Sequence, residues 1–264
     1  MPKRDVKKAR KAYKNKDIQA MMKAHSIEKP HVEYRSLEGK YIKSIVYGGL
    51  DGTVTTFAIV AGVAGASLTS GIVLVLGFAN LAADGLSMAV GDYLGTKSEG
   101  EYRKAERKRE LWEVRYNPKG EKQEMIEIYQ EKGMSEADAK KTVETLSKYR
   151  GVWIDTMMHE ELNILESDES PIKNAVATFF SFAIFGLIPL LAYVFSGLTK
   201  TTGVDTFLIA SVLTAGTLFL LGSLKVKVTQ KSWLRSGLEM LVIGGIVAIS
   251  AYLIGYLLSG LVYL

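Results

Sequence analysis

Two pairs of glutamates in this chain have the spacing of a metal site. Glu110 and Glu113 form one pair, and Glu121 and Glu124 form the other. Side chains three residues apart lie on one face of a helix. Two such pairs on adjacent helices can therefore converge on a single ion.

Met157 and Glu161 are four residues apart, which also places them on one helical face. Carboxylates joined by a thioether suit Fe²⁺, Mn²⁺, Co²⁺ or Zn²⁺, because the sulfur disfavours Mg²⁺ and Ca²⁺. A thiolate site is excluded, since the chain contains no cysteine. The alternative is that these residues are ordinary solvated helix surface, because Glu-x-x-Glu is common on charged helices. Spacing alone leaves both interpretations open.

A second polar group lies within apolar sequence. Asp51 stands among glycines, and Asn80, Asp84 and Met88 follow at four-residue steps, which predicts one helical face. Asp92 continues that row. An ionisable group inside a bilayer costs roughly 2.5–3.5 kcal/mol on insertion scales, so such residues usually face a pathway or a partner. A carboxylate and a thioether on adjacent helices could pass a transition metal between them.

Three of these residues have structural alternatives. Asp51 could cap a helix or pair with a lysine such as Lys43. Asp92 could lie at the cytosolic boundary of its span. A lone methionine such as Met88 is more often core or lipid-facing than a ligand.

Five apolar stretches carry these residues, and each is long enough to cross a bilayer, which takes about 20 residues. They lie near residues 44–66, 71–94, 175–195, 204–224 and 237–261. The sequence thus predicts an all-α polytopic membrane protein with four parts: a basic segment over 1–43, spans one and two over 44–95, a charged insert over 96–172, and spans three to five over 173–264.

The insert carries 18 acids and 15 bases between Lys97 and Lys173 and is predicted to contain three helices. The first continues from span two to Trp112 and is broken by Asn117-Pro118. The second covers about 121–132. The third runs from about Ser135 to Leu165, with Ser135 as its N-cap.

Loop charges predict the orientation. The segment from Lys3 to Lys43 holds 13 Lys/Arg against 5 acids, which is typical of a segment beside an anionic cytosolic membrane face. The net charge of +5 is therefore no nucleic-acid signal. A cytosolic N-terminus, a cytosolic insert and an outer C-terminus fit all the loops.

At these residues the sequence resembles the vacuolar iron transporter family, which includes the yeast calcium-sensitivity-suppressor-like iron and manganese transporters. The resemblance covers nearly all of residues 41–261. Its most specific stretches are Gly49–Thr56, Ala83–Tyr93, Gly186–Leu191 and Arg235–Met240.

The resemblance implies a dimer of five-span subunits, with a cytosolic three-helix metal-binding domain after span two. It implies exchange of cytosolic Fe²⁺, and often Mn²⁺, for protons, without a prosthetic group. Asp51 and Met88 match the family's pathway residues. The matches in the metal-binding domain are Glu110, Glu113, Glu121, Glu124, Met157 and Glu161.

Two departures from the family pattern concern span two. The family's frequent Gly-Glu is Gly91-Asp92 here, which has the shorter carboxylate side chain. Asn80 and Asp84 lie in the region where some members of the family use another pathway acid. Asp84 and Asp92 are kept as pathway candidates.

Two rival functions differ in class from a transporter. A membrane-anchored metal-binding or sensing protein would not need Asp51. A membrane enzyme such as an iron oxidase is disfavoured, because the insert lacks Glu-x-x-His pairs. We expect a multi-pass protein of the plasma membrane in a prokaryote, or of the vacuolar membrane in a eukaryote.

Overall fold

The structure is a computed structural model that describes residues 11–13, 15–24, 41–165, 169–199, 203–229 and 232–262. Every regular element in these ranges is an α-helix. The helices are α1 (Ile18–Ala24), α2 (Ile42–Gly65), α3 (Ser70–Tyr116), α4 (Pro118–Glu131), α5 (Glu136–Leu146), α6 (Arg150–Glu160), α7 (Pro171–Thr199), α8 (Gly203–Thr229) and α9 (Trp233–Val262).

The five predicted spans are confirmed as helices. Helices α2, α3, α7, α8 and α9 are each long and apolar enough to cross a membrane. Helix α3 has 47 residues and is about 70 Å long at 1.5 Å per residue. Because a hydrocarbon core is about 30 Å thick, only the first part of α3 can lie in the bilayer. Its second half extends into the insert.

The predicted third helix of the insert is wrong in one respect, because it is two helices. Helix α5 ends at Leu146 with Ser147 as its C-cap, and α6 begins at Arg150 after Tyr149 in an extended conformation. The break lets Val143 and Ile154 enter the same apolar core. The predicted N-cap is confirmed, since the Ser135 hydroxyl accepts a hydrogen bond from the Asp138 amide.

Small residues bring the membrane helices together. A Cβ atom on Gly52 of α2 would lie 2.4 Å from the Phe182 carbonyl oxygen of α7, and one on Gly255 of α9 would lie 2.0 Å from the Gly62 carbonyl oxygen of α2. Such backbone approach is typical of membrane helix packing. Helix α7 also contacts α3 and α8, and α8 contacts α9. These contacts hold α2 and α3 in the bundle that carries Asp51 and Met88.

Large apolar side chains cover the outside of the spans. Val75, Phe78 and Leu86 are exposed on α3, as are Ile249 and Leu253 on α9. Contiguous apolar surface of this extent is unfavourable in water. A bilayer supplies the solvent that these faces require.

Residues 1–43 form a separate compact unit. Within it the structure describes α1, whose side chains from Ile18 to Met22 are exposed. Most of the predicted basic segment lies outside the described residues.

Candidate metal site and ion pathway

The insert has its own apolar core, which sets the positions of the glutamates. Val114 of α3, Met125 of α4, Val143 of α5 and Ile154 of α6 pack in one cluster. Helix α3 ends at Tyr116. Its C-cap residue Asn117 accepts a side-chain hydrogen bond from the Gly120 amide and so begins α4. This reversal places the end of α3 beside the start of α4.

The predicted glutamate pairs meet at that reversal. Carboxylate oxygens of Glu110, Glu113 and Glu121 all lie within 4.8 Å of one another, and so do those of Glu121, Glu124 and Glu161. Glu121 belongs to both groups. The five acids come from three helix ends, and we call them the carboxylate cluster.

Burial makes the carboxylate cluster costly without a cation. Glu110 is fully buried and Glu121 is 5% exposed. Both oxygens of Glu110 and one oxygen each of Glu121 and Glu161 are buried and accept no hydrogen bond from a described group. The Arg109 guanidinium lies 2.8 Å from Glu110 Oε1 but outside hydrogen-bond geometry, so it offsets only part of this charge. Unpaired buried carboxylates cost several kcal/mol, which protonation or a bound cation relieves.

The pKa values of the cluster reflect this environment. Burial, followed by the charge of Glu161, raises the pKa of Glu110 to about 7. Burial, followed by the charge of Glu124, raises the pKa of Glu121 to about 7. The same two causes raise the pKa of Glu161. The pKa values of Glu110 and Glu121 therefore lie near neutral pH, where each carboxyl is partly protonated.

Met157 lies within the apolar core of the insert rather than on its surface. It is fully buried in the core. Its carbonyl accepts a hydrogen bond from the Glu161 amide, so the two residues are one helical turn apart, as the sequence predicted. Met157 thus lies one helical turn before a cluster carboxylate, with its side chain in the apolar core.

The polar row of span two lies on one face, as predicted. Asn80, Asp84, Met88 and Asp92 are all half-buried, whereas most of their neighbours on α3 are exposed. Asp51 on α2 is half-buried too, and its carboxylate is close enough to that of Asp84 for their negative charges to interact. Two acids of the predicted pathway, one on each of the first two spans, thus affect each other electrostatically.

Asp92 has protein partners at the end of the membrane bundle. Its Oδ2 atom accepts hydrogen bonds from the Ser44 hydroxyl of α2, at 3.2 Å, and from the Thr178 hydroxyl of α7. One carboxylate therefore joins three spans. Met88 packs against the apolar core of the bundle. The contact of Met88 agrees with its structural alternative as a core residue, and the hydrogen bonds of Asp92 give that carboxylate a structural role.

The comparisons with known proteins agree with this architecture. A model of the VIT family matches residues 42–256. The chain belongs to the VIT family. It is 40% identical to a vacuolar iron transporter of Toxoplasma gondii, over 97% of this chain and 89% of that protein. It is 37% identical to one of Plasmodium falciparum, over 95% of each chain.

Plant relatives are more distant. The chain is 33% identical to vacuolar iron transporter 1 of Arabidopsis thaliana, over 84% of this chain and 88% of that protein. The family match over residues 42–256 takes in the first four spans, the whole insert and most of the fifth span.

One residue of this VIT family member was missed by the sequence analysis. The Arg109 guanidinium lies 2.8 Å from Glu110 Oε1, 2.9 Å from Glu106 Oε2 and 2.5 Å from Glu113 Oε2. These acids raise the pKa of Arg109 above its ordinary value. The sequence does indicate ion pairs for Arg109, because acids lie three residues before it, one residue after it and four residues after it. Only the fold shows that two of those acids also belong to the cluster.

Proposed function

We propose that this protein exports cytosolic divalent metal, Fe²⁺ and also Mn²⁺, across a membrane in exchange for protons. The observation that carries the proposal is the carboxylate cluster, whose oxygens, several of them buried without a hydrogen-bond partner, converge from three helix ends. Relatives over nearly the whole chain are named vacuolar iron transporters. The protein would act as a transporter rather than as an enzyme.

The insert would capture the ion. Glutamates with pKa values near 7 hold protons when the site is empty, and a divalent ion displaces them. Hard oxygens favour Fe²⁺ and Mn²⁺, and Met157 would supply a sulfur that disfavours Ca²⁺ and Mg²⁺. Co²⁺ and Zn²⁺ also suit such a ligand set. Capture in the insert would raise the local metal concentration beside the spans.

The spans would conduct the ion through Asp51, Asp84 and Met88. Met88 is 22 positions before Glu110 on α3, which is about 33 Å along a helix. The proposed capture site and the proposed pathway are therefore separate sites and can be tested separately. Asp92 lies between them, and its hydrogen bonds favour a role in holding the mouth of the pathway over direct contact with the ion.

Proton exchange would use the same carboxylate that binds the metal. A bare aspartate in the bilayer is unfavourable, so Asp51 is expected to hold either a cation or a proton. Protonation from the far side would release the metal, and return of the proton to the cytosol would reset the site. Competition between the two ligands for one carboxylate is the physical basis of antiport.

A second copy of the chain would complete the pathway. Residues of α3 next to the polar row, such as Leu86 and Val90, are exposed in the single chain. A homodimer joined through α2 and α3 would shield the row from lipid. We propose that the N-terminus and the insert face the cytosol, and that the membrane is vacuolar if the source is a eukaryote.

The decisive experiment is metal flux in proteoliposomes at two opposite pH gradients. Fe²⁺ and Mn²⁺ should enter vesicles faster when the lumen is acidic, with no change in oxidation state and with a counterflow of protons. Flux that ignores the gradient would contradict antiport. Metal binding without any flux would instead favour a membrane-anchored metal-binding or sensing protein.

A further inference from the structure

Helix α7 presents a buried polar stripe to the two helices that carry the proposed pathway. Asn174, Thr178 and Ser181 lie on one face of α7, because they are four and three residues apart. They are 4%, 2% and 5% exposed, so each needs a partner within the protein. The Asn174 amide donates to the Thr96 hydroxyl of α3 at 3.1 Å, and the Ser181 hydroxyl donates to the Ile45 carbonyl of α2.

The middle residue of the stripe joins α2, α3 and α7 at one carboxylate. Asp92 Oδ2 accepts hydrogen bonds from Thr178 and from Ser44, and both of these side chains are buried. The backbones of α2 and α7 also approach closely here, since a Cβ atom on Gly48 would lie 2.7 Å from the Thr178 carbonyl oxygen. We call Ser44, Asp92 and Thr178 the three-span junction.

The three-span junction and the two pathway acids share one antiparallel register of α2 against α3. Asp51 follows Ser44 by seven positions on α2, and Asp84 precedes Asp92 by eight positions on α3. At 1.5 Å per residue, these steps are about 10 Å and 12 Å in the same direction. Asp51 and Asp84 therefore lie at nearly the same depth, and their charges affect each other.

Helix α7 contacts α2 again at the level of Asp51. Pro189 lies inside α7 and has no N–H, so the Phe185 carbonyl lacks its usual helical donor. The Thr53 hydroxyl, two positions after Asp51, lies 3.4 Å from that carbonyl and also donates to the Gly49 carbonyl at 2.7 Å. The stretch around Pro189 thus provides an acceptor for a side chain of α2.

We propose that α7 positions the two pathway helices, and that Thr178 and Ser44 are positioning residues that align Asp51 with Asp84 through the three-span junction. This inference rests on the proposed function. Asp92 would act by joining the helices, and its contact with the ion would not be required. Without the three-span junction, α2 can slide or turn against α3, and a misplacement of about 1 Å can cost about 100-fold in rate.

The test compares removal of the two donors with removal of the charge. Ser44→Ala/Thr178→Val deletes both donors and leaves the Asp92 carboxylate, and Mn²⁺ flux of the full-length protein in proteoliposomes should fall at least about tenfold. Asp92→Asn keeps an acceptor oxygen and should lose less flux than the double variant. Thr178→Ser keeps the hydroxyl and should retain most of the flux. If Asp92 instead binds the ion, Asp92→Asn should lose more flux than the double variant.

A matched control removes two hydroxyls from a span without pathway residues. Ser211→Ala/Thr214→Val makes the same two changes on α8, where these hydroxyls donate to carbonyls of their own helix. This control should transport like the wild type. Mn²⁺ binding by the insert should be unchanged in every variant, which verifies folding. If the double variant at the three-span junction does not fold, Thr178→Val alone replaces it under the same criteria.

Amide hydrogen exchange provides a readout that does not depend on transport. Residues 44–50 of α2 should exchange faster in Ser44→Ala/Thr178→Val than in the wild type or in Asp92→Asn. Wild-type exchange in the double variant would overturn the three-span junction, whether or not the protein transports metal. Faster exchange with wild-type flux, or a larger loss of flux in Asp92→Asn, would overturn the positioning role. A wild-type protein without flux would overturn the proposed function, whereas faster exchange in the double variant would still support the three-span junction.

Discussion

The acids of the insert and the acids of the spans differ in how fully a single chain surrounds them. The carboxylate cluster of the insert brings five glutamates together within one chain, and several of its oxygens are fully buried. The acids of the spans are sparser. Asp51 and Asp84 interact across α2 and α3, but both are only half-buried, and their neighbours on α3 face outward.

Under the proposed function, this difference separates metal capture in the insert from metal passage through the spans. A site that a single chain completes can bind metal whether or not the protein transports it. A site that is half-open along the face of a span needs a further surface to exclude lipid. The two regions should therefore fail independently when each is altered, and the following predictions test that separation.

The largest effect is expected for Asp51→Asn. An amide cannot exchange a proton for a metal, so Fe²⁺ and Mn²⁺ flux in proteoliposomes should fall at least about 100-fold. Metal binding by the insert should stay unchanged. Asp92→Asn is the matched control, because its amide oxygen can still accept from Ser44 and Thr178, and flux there should fall less than about tenfold. Full flux in Asp51→Asn would contradict the proposed exchange site.

The second effect concerns Glu121, which belongs to both halves of the carboxylate cluster. Glu121→Gln keeps the shape of the side chain but removes its charge, and should weaken Mn²⁺ binding by at least about tenfold. Glu127→Gln makes the same change on an exposed position of α4 and should leave the affinity unaltered. Calorimetric titration of the full-length protein measures both. Equal affinities in the two variants would remove Glu121 from the site.

Features set by residues close together in the sequence were predicted, and features set by contacts between distant residues were not. The spans were predictable because each is a local run of apolar residues. The four-residue spacing of a helix was enough to predict one shared face for Asn80, Asp84, Met88 and Asp92. The break between α5 and α6 was missed because residues 147–149 contain neither proline nor glycine. There the packing of Val143 and Ile154 into one core overrides the local helical pattern.

The carboxylate cluster shows the same limit. Spacing could pair Glu110 with Glu113 and Glu121 with Glu124, but not the two pairs with each other. Their convergence depends on the reversal at Asn117 and on the core beneath it. Arg109 was missed for this reason, since its contacts matter only once the cluster exists.

A third prediction concerns pH. In the folded protein the pKa values of Glu110 and Glu121 are about 7, against an ordinary value of 4.5. The metal-free fold is therefore more stable when these two carboxyls are protonated. The resulting stability is fully present below about pH 4.5 and is lost as pH rises through about 7. The melting temperature of the metal-free protein should therefore decrease as the pH rises from 5 to 8. Saturating Mn²⁺ should restore it at pH 8.

The double variant Glu110→Gln/Glu121→Gln is the control for this pH dependence. Its two amides do not titrate, so the melting temperature should change much less between pH 5 and pH 8, and Mn²⁺ should have little effect. A wild-type slope in the double variant would assign the pH dependence to other groups.

The smallest effect is expected for Arg109. Its guanidinium contacts Glu110 and Glu113 in the metal-free structure, so a bound divalent ion must compete with it and is repelled by its charge. Arg109 also lowers the pKa of Glu110, which favours metal binding near neutral pH and opposes the first effect. At pH 8, where the glutamates are mostly ionised, the repulsion dominates, and Arg109→Gln should strengthen Mn²⁺ binding about threefold. At pH 6 the gain should shrink or reverse. The control Arg115→Gln, on the same helix but outside the cluster, should show neither change. If Arg109→Gln instead binds Mn²⁺ more weakly at both pH values, Arg109 organises the site and does not compete with the metal.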